Sequence, residues 1–144
     1  MRALTIHQPY AELIARGEKR VENRPQRLHY RGLLVIHAGQ RSRIWLERAK
    51  ADGVVIDEEE LVFGAAIAVA DLVDCVDYGA VRSRRELFAG GDRHGWIARD
   101  RWASGPQCLV LENVRRLPKP IPCSGRQSLW IPPAEVVAAI EGQL

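Results

Sequence analysis

The sequence predicts an α+β fold that is predominantly β, a small β-barrel with short helices at its periphery. Three observations carry that expectation. Apolar runs of strand length recur at residues 33–38, 62–76 and 108–114. The helical patterns between them are short. No glycine-rich phosphate loop follows any of these strands, which leaves a doubly wound nucleotide-binding sheet without support. At 144 residues the chain can bury a core without disulfide or metal staples, and residues 1–144 read as one domain.

The elements follow in order. Residues 4–6 read as a short strand. Pro9 then stands at the first position of a helix over residues 9–16, with Gly17 just past its end, the asymmetry that helices favour. Tyr10, Leu13 and Ile14 fall on one face at i, i+3 and i+4, a core stripe. Residues 19–24 read as extended and stop at Pro25. Arg31-Gly32 opens the apolar strand 33–38, and residues 43–51 form a helix. The long strand over 62–76 loses its alternation near Leu72-Val73, where a bulge would suit a small barrel. Residues 80–88 read as a helix ending at Gly90-Gly91, and 108–114 as a further strand. Pro118-Lys119-Pro120-Ile121-Pro122 enforces an extended crossing. Pro132-Pro133 start a final helix with Val136, Val137 and Ile140 inward.

Charge is unevenly placed. Residues 1–51 carry eleven Lys/Arg against four Asp/Glu, residues 52–77 carry eight acids and no base, and residues 78–144 carry ten bases and six acids, for a net +3. Two basic segments flanking an acidic one suggest a basic face and an anionic partner. Arg outnumbers Lys eighteen to three, a bias that base composition alone would also produce. Cys75, Cys108 and Cys123 are odd in number and far apart, so they read as reduced, buried thiols and not as a disulfide framework or zinc site. His7, His29, His37 and His94 lack metal-ligand spacing, and no cofactor is expected. No apolar run approaches membrane length and no signal-peptide core follows Met1, so no membrane partner is expected and the location is read as cytoplasmic.

Polar residues stand where apolar ones are expected in three segments. Gln8-Pro9-Tyr10 lies at a strand-to-helix junction, where free backbone N–H groups suit a phosphate or base carbonyl, and where Gln8 could equally cap the helix. In residues 17–24, Arg20, Glu22 and Arg24 share one face of an extended chain while Lys19 lies on the other, so Lys19 and Glu22 meet only across a twist or bulge. That cluster fits either a structural ion pair or a site gripping a base. In residues 124–130, Gly125 permits close backbone approach and Gln127 can donate and accept at a base edge, beside Ser124. A plain turn into a core Trp130 fits equally. Glu112 shares a face with Val110 and Val114 and needs a cation, which a segment like 17–24 could supply. His37 closes an apolar strand, either facing a cleft or hydrogen-bonded within the structure.

Residues 3–11, 17–24, 30–39, 102–106 and 111–114, followed by Gly125-Arg126-Gln127, resemble in succession the ASCH (activating signal cointegrator homology) domain family. The resemblance spans nearly the whole chain. It implies a PUA-like β-barrel with a polar cleft beside the first helix, lined by a Gly-x-Lys-x-x-Glu-x-Arg segment filled here by Gly17, Lys19, Glu22 and Arg24. The family is linked to RNA or DNA binding, transcription coactivation and, in some branches, hydrolysis, including a ribonuclease branch. A bacterial branch deacetylates N4-acetylcytidine with a lysine, a threonine three residues later and a distant glutamate. Lys19 matches that lysine, but Glu22 stands at the threonine position, and a carboxylate is a poor substitute for a hydroxyl acyl acceptor.

Two functions of different kind follow. The first is a module binding single-stranded RNA, single-stranded nucleic acid or a nucleotide, using Gln8, Pro9, Tyr10, Lys19, Glu22, Arg24, His37, Ser124, Gly125 and Gln127. Lys19 and Arg24 would meet phosphate, Gln8 and Gln127 base edges. The second is a small metal-independent hydrolase acting on RNA or a modified nucleoside, with Lys19 and Glu22 as catalytic proton-transfer pair. The absence of an obvious nucleophile favours binding.

Overall fold

The structure is a computed structural model and describes residues 1–83 and 93–144. Its order is β1 (Arg2–Ile6), α1 (Tyr10–Ala15), β2 (Val21–Arg24), β3 (Gly32–Ala38), α2 (Arg43–Ala51), a 3-10 turn (Glu58–Glu60), β4 (Ala65–Asp77), α3 (Tyr78–Ser83), a second 3-10 turn (Gly95–Arg99), β5 (Gln107–Pro122), β6 (Leu129–Trp130) and α4 (Ala134–Glu141). The strands form one mixed sheet in the order β2-β5-β4-β3-β1-β6. The fold is α+β and predominantly β, as its apolar runs indicate. The helix expected over 80–88 is seen as α3, and the rest of that expectation lies outside the described residues.

The chain divides into two compact units, the first Met1–Glu18, Leu33–Ala70 and Asn113–Leu144, the second Lys19–Gly32 and Asp71–Glu112. In the first, β1 runs parallel to β3 and antiparallel to β6, with Thr5 opposite His37 and Ala3 opposite Trp130. Ala3, Val35, Ala66, Val69, Leu117 and Trp130 pack against Val136 and Ile140 of α4, which share one face at i, i+4. Each fully buried Val, Leu or Ile side chain among them contributes about 1.5–3 kcal/mol. α1 follows a cis Gln8–Pro9 bond and ends before Gly17, whose φ of +79° suits glycine. Its buried Glu12 accepts from Arg16 Nε at 3.0 Å and from both Arg116 terminal nitrogens at 2.5 and 3.3 Å. This fork ties α1 to β5.

In the second unit β2 pairs antiparallel with β5, with Val21 opposite Val110 and Asn23 opposite Cys108. Val21, Val81, Ile97, Ala103, Cys108 and Val110 form its core. Asn23 clamps the following loop: its amide nitrogen donates to the Trp102 carbonyl at 2.7 Å, and its oxygen accepts from the Ser104 and Gly105 N–H groups at 2.8 and 2.9 Å. Gly105 has φ +71°, and a Cβ there would lie 2.6 Å from Tyr78 Cβ.

β5 is longer than the strand expected over 108–114 and continues through Pro122. Prolines 118, 120 and 122 fall at alternate positions, so they remove donors from one side of the strand only. Gln143 lends Lys119 a strand-like partner, accepting from its N–H at 2.9 Å and donating to its carbonyl at 3.0 Å. Asn113, at φ 51°, bends β5 just after Glu112.

Glu12→Ala should lower unfolding stability by about 1–2 kcal/mol, a modest loss because Arg16 and Arg116 are half-exposed and rehydrate. Urea unfolding of the variant beside the wild type measures it. Unchanged stability would show that the fork holds nothing.

Candidate functional site

Lys19 and Glu22 do meet, and the reason is local. β2 begins only at Val21, so Lys19 lies before the strand and the two residues are neighbours at i, i+3. Both side chains are buried, Lys19 at 3% exposure. Lys19 Nζ donates to Glu22 Oε1 at 2.8 Å and to the Val21 carbonyl. Arg24 donates from Nη2 to the other Glu22 oxygen at 3.0 Å, from a partly exposed position. Burial works to raise the Glu22 carboxyl, but the Lys19 and Arg24 charges and their hydrogen bonds outweigh it and hold the group below the ordinary carboxylate range. Nearby, burial pushes the Cys108 thiol up to about 11, so it is neither a thiolate nor a nucleophile near neutral pH.

In the first unit Gln8 is 2% exposed and engaged at both ends of its amide. Its oxygen accepts from the Glu12 N–H at 2.9 Å and its nitrogen donates to the Val62 carbonyl at 2.8 Å, so it caps α1 and anchors a loop. Pro9 is buried beside it. Tyr10 donates to Asp52 at 3.3 Å, and burial first, then the Asp52 charge, raises its phenol.

His37 is fully buried, and both ring nitrogens are bonded. Nε2 lies 2.8 Å from the Cys123 carbonyl, which can only accept, so Nε2 carries the proton. Trp130 Nε1 donates to Thr5 Oγ1 at 3.1 Å, and Thr5 Oγ1 lies 3.2 Å from His37 Nδ1, so the Thr5 hydroxyl donates onward to that nitrogen. Gly125 lies on this chain: a Cβ there would sit 2.5 Å from Thr5 Oγ1 and 2.7 Å from His37 Cε1. The glycine is required by close approach to Thr5 and His37, while Ser124 and Gln127 in the same loop are exposed.

Other expectations resolve differently. Glu112 takes its cation from Arg93 at 3.9 Å, not from residues 17–24, where Glu22 already engages Lys19 and Arg24. The acidic middle partners the basic N-terminal segment: Glu58 pairs with Arg41, Glu60 with Arg16 at 2.9 Å, and Asp74 with Arg31 at 3.5 Å. This pairing blunts the basic face that the charge pattern suggested. All three cysteines are free thiols, and no metal-binding group of His, Cys, Asp and Glu occurs among the described residues. Reading residue by residue missed Thr5 and Glu12, whose signal was a lone polar side chain inside an otherwise apolar segment, while Asn23 stands in the polar segment 17–24, where its clamp on residues 102–105 has no local signal.

The ASCH domain family matches residues 4–124, and the chain belongs to that family. Among solved structures the ASCH protein of Zymomonas mobilis aligns with a TM-score of 0.57 at 18% identity, covering 98% of this chain and 93% of that one. A tyrosine-to-phenylalanine mutant of that protein aligns at 0.56 and 18% identity, with 98% and 96% covered. A serine-to-alanine mutant of it aligns at 0.57 and 16% identity, with 98% and 94% covered. At such identities the likeness is one of fold. No curated protein matches the chain. Among the described residues no helix is long and apolar enough to cross a membrane.

Burial pushes the His37 imidazole below its ordinary 6.5, against the smaller opposing pull of the Cys123 carbonyl. The unfolded chain therefore takes up this proton first as pH falls. Stability should be full above about pH 6.5 and decline below it, and His37→Gln should flatten that part of the profile in urea unfolding. Gly125→Ala should cost about 1–3 kcal/mol by forcing the loop off Thr5 and His37. A stability profile flat between about pH 5 and pH 8 would contradict the neutral, buried imidazole.

Proposed function

We propose that the chain is a nucleic-acid-binding module that takes single-stranded RNA or a nucleotide. Membership of a family generally associated with RNA binding supports the reading. The observation that carries it is the cluster at the family's charged segment: Glu22, held as an anion by Lys19 on one oxygen, fixes the Arg24 guanidinium with the other. Arg24, a planar fork of donors held at a partly exposed position, is the group suited to phosphate. Lys19 contributes its charge and the rigidity of the cluster. Ser124 and Gln127, exposed beside Gly125, supply donors and acceptors for base edges.

The hydrolase reading gains nothing from this geometry. A general base works best with its pKa near the operating pH, and Glu22 is held in the opposite direction by two cations. Lys19 already donates to two oxygens.

Anisotropy titration of a labelled single-stranded RNA against salt tests the proposal. Affinity should fall with a log–log slope of about −0.7 for each phosphate engaged. Arg24→Ala should weaken binding by about 1.5–3 kcal/mol, the worth of a hydrogen bond to a charged group. An affinity indifferent to both salt and Arg24 would defeat the reading.

A further inference from the structure

An aromatic cluster stands at the end of β1. His7, the residue after that strand, is exposed, and its imidazole stacks on the indole of Trp45 in α2. The ring centroids are 4.7 Å apart and the planes 14° from parallel. Tyr10 meets the same indole edge-on, at 6.3 Å and 89°. One turn along α2 the Arg48 guanidinium lies 4.9 Å from the Trp45 centroid. Arg43, with its side chain 87% exposed, stands in the first turn of that helix, and Lys50 joins Arg48 in the last.

A flat ring pair reaching solvent among cations is what a single-stranded nucleic acid requires. Every base offers a π-face that stacks on an aromatic ring whatever its sequence, while the backbone on either side asks for positive charge. Because Trp45 already orders the His7 ring, a base that stacks on it loses little entropy in fixing it. Of the nearby acids, Glu58 pairs with Arg41 and Glu47 lies 4.0 Å from Arg43, while Asp52 accepts from Tyr10 and keeps its charge. α2 itself carries Arg43, Arg48 and Lys50 against Glu47, so the helix is net positive.

We infer that His7 and Trp45 form a base-stacking platform for single-stranded nucleic acid, a base extending the stack on the outer face of His7 and adjoining phosphates meeting Arg48 and its neighbours on α2. The inference rests on the nucleic-acid reading and adds a site to it that shares no residue with the Lys19–Glu22–Arg24 cluster.

The test titrates the chain with a short labelled oligoadenylate, following label anisotropy and tryptophan fluorescence, with polyglutamate as a charge-only control. Binding by the wild type should quench fluorescence, and Trp45→Phe should remove that quenching. His7→Ala should weaken binding roughly tenfold, the scale of one lost base stack. His7→Phe should restore it. Arg48→Gln should make the salt slope shallower by about 0.7. Should oligoadenylate bind while His7→Ala and Arg48→Gln match the wild type, the platform is wrong and the nucleic-acid reading survives. Polyglutamate binding as tightly, with the same loss in His7→Ala, would reduce the patch to charge and overturn stacking. No oligonucleotide binding by the wild type would overturn both. Because His7 is exposed but stacks on Trp45, the melting of each variant is measured beside the wild type, and matching melts are expected for His7→Phe. If His7→Ala melts below the wild type, the comparison of His7→Phe with wild type decides.

Discussion

Taking a carboxylate out of water costs several kcal/mol unless cations and donors replace the solvent, and Glu22 imposes that requirement on the second unit. Lys19 and Arg24 meet it, one on each oxygen. The consequences spread from there. Lys19 must stand before β2 and not within it, because a continuous strand would turn it to the opposite face. Asn23, between Glu22 and Arg24, points the other way and clamps residues 102–105, so three consecutive residues of one short strand are all committed. With both Glu22 oxygens engaged by cations, the cluster suits presenting Arg24 to a ligand and does not suit shuttling protons.

Arginine serves two distinct purposes elsewhere. Some guanidiniums neutralise the acidic stretch, as Arg16, Arg31 and Arg41 do. Others lie over aromatic rings: Arg20 over Trp96, Arg48 over Trp45, Arg101 over Trp102. A planar, weakly hydrated cation can do both, which lysine does poorly. The arginine bias of the sequence therefore has structural uses, whatever its origin. Of the four tryptophans, only Trp130 belongs to the buried core, with its indole N–H satisfied by Thr5.

Much of the fold was legible because its signals are local. Pro9 and Gly17 bracket α1, the run 33–38 gives β3, residues 43–51 give α2 outright, and paired prolines announce α4. Residues 118–122 read from sequence as an extended crossing, and their alternate prolines together with Gln143 are compatible with β5 running on through them. The site was legible as a set of residue types. It was not legible as a set of partners, because those are fixed by long-range packing. Nothing near Gln8 in sequence announces Val62, and nothing near His37 announces Cys123 or the approach of Gly125. The charge pattern was legible as blocks but not as partners, since the pairing of Glu60, Asp74 and Glu58 with Arg16, Arg31 and Arg41 is fixed by the fold.

Binding and not proton transfer at this cluster requires Glu22 to be a fixed anion. Carbon-13 NMR titration of its side-chain carboxyl, assigned by comparison with Glu22→Gln, measures that directly. A fixed anion gives a midpoint below the ordinary carboxylate value of 4.5, with no inflection near neutral pH. A midpoint near pH 6–7, roughly where catalytic carboxylic acids are tuned, would contradict it.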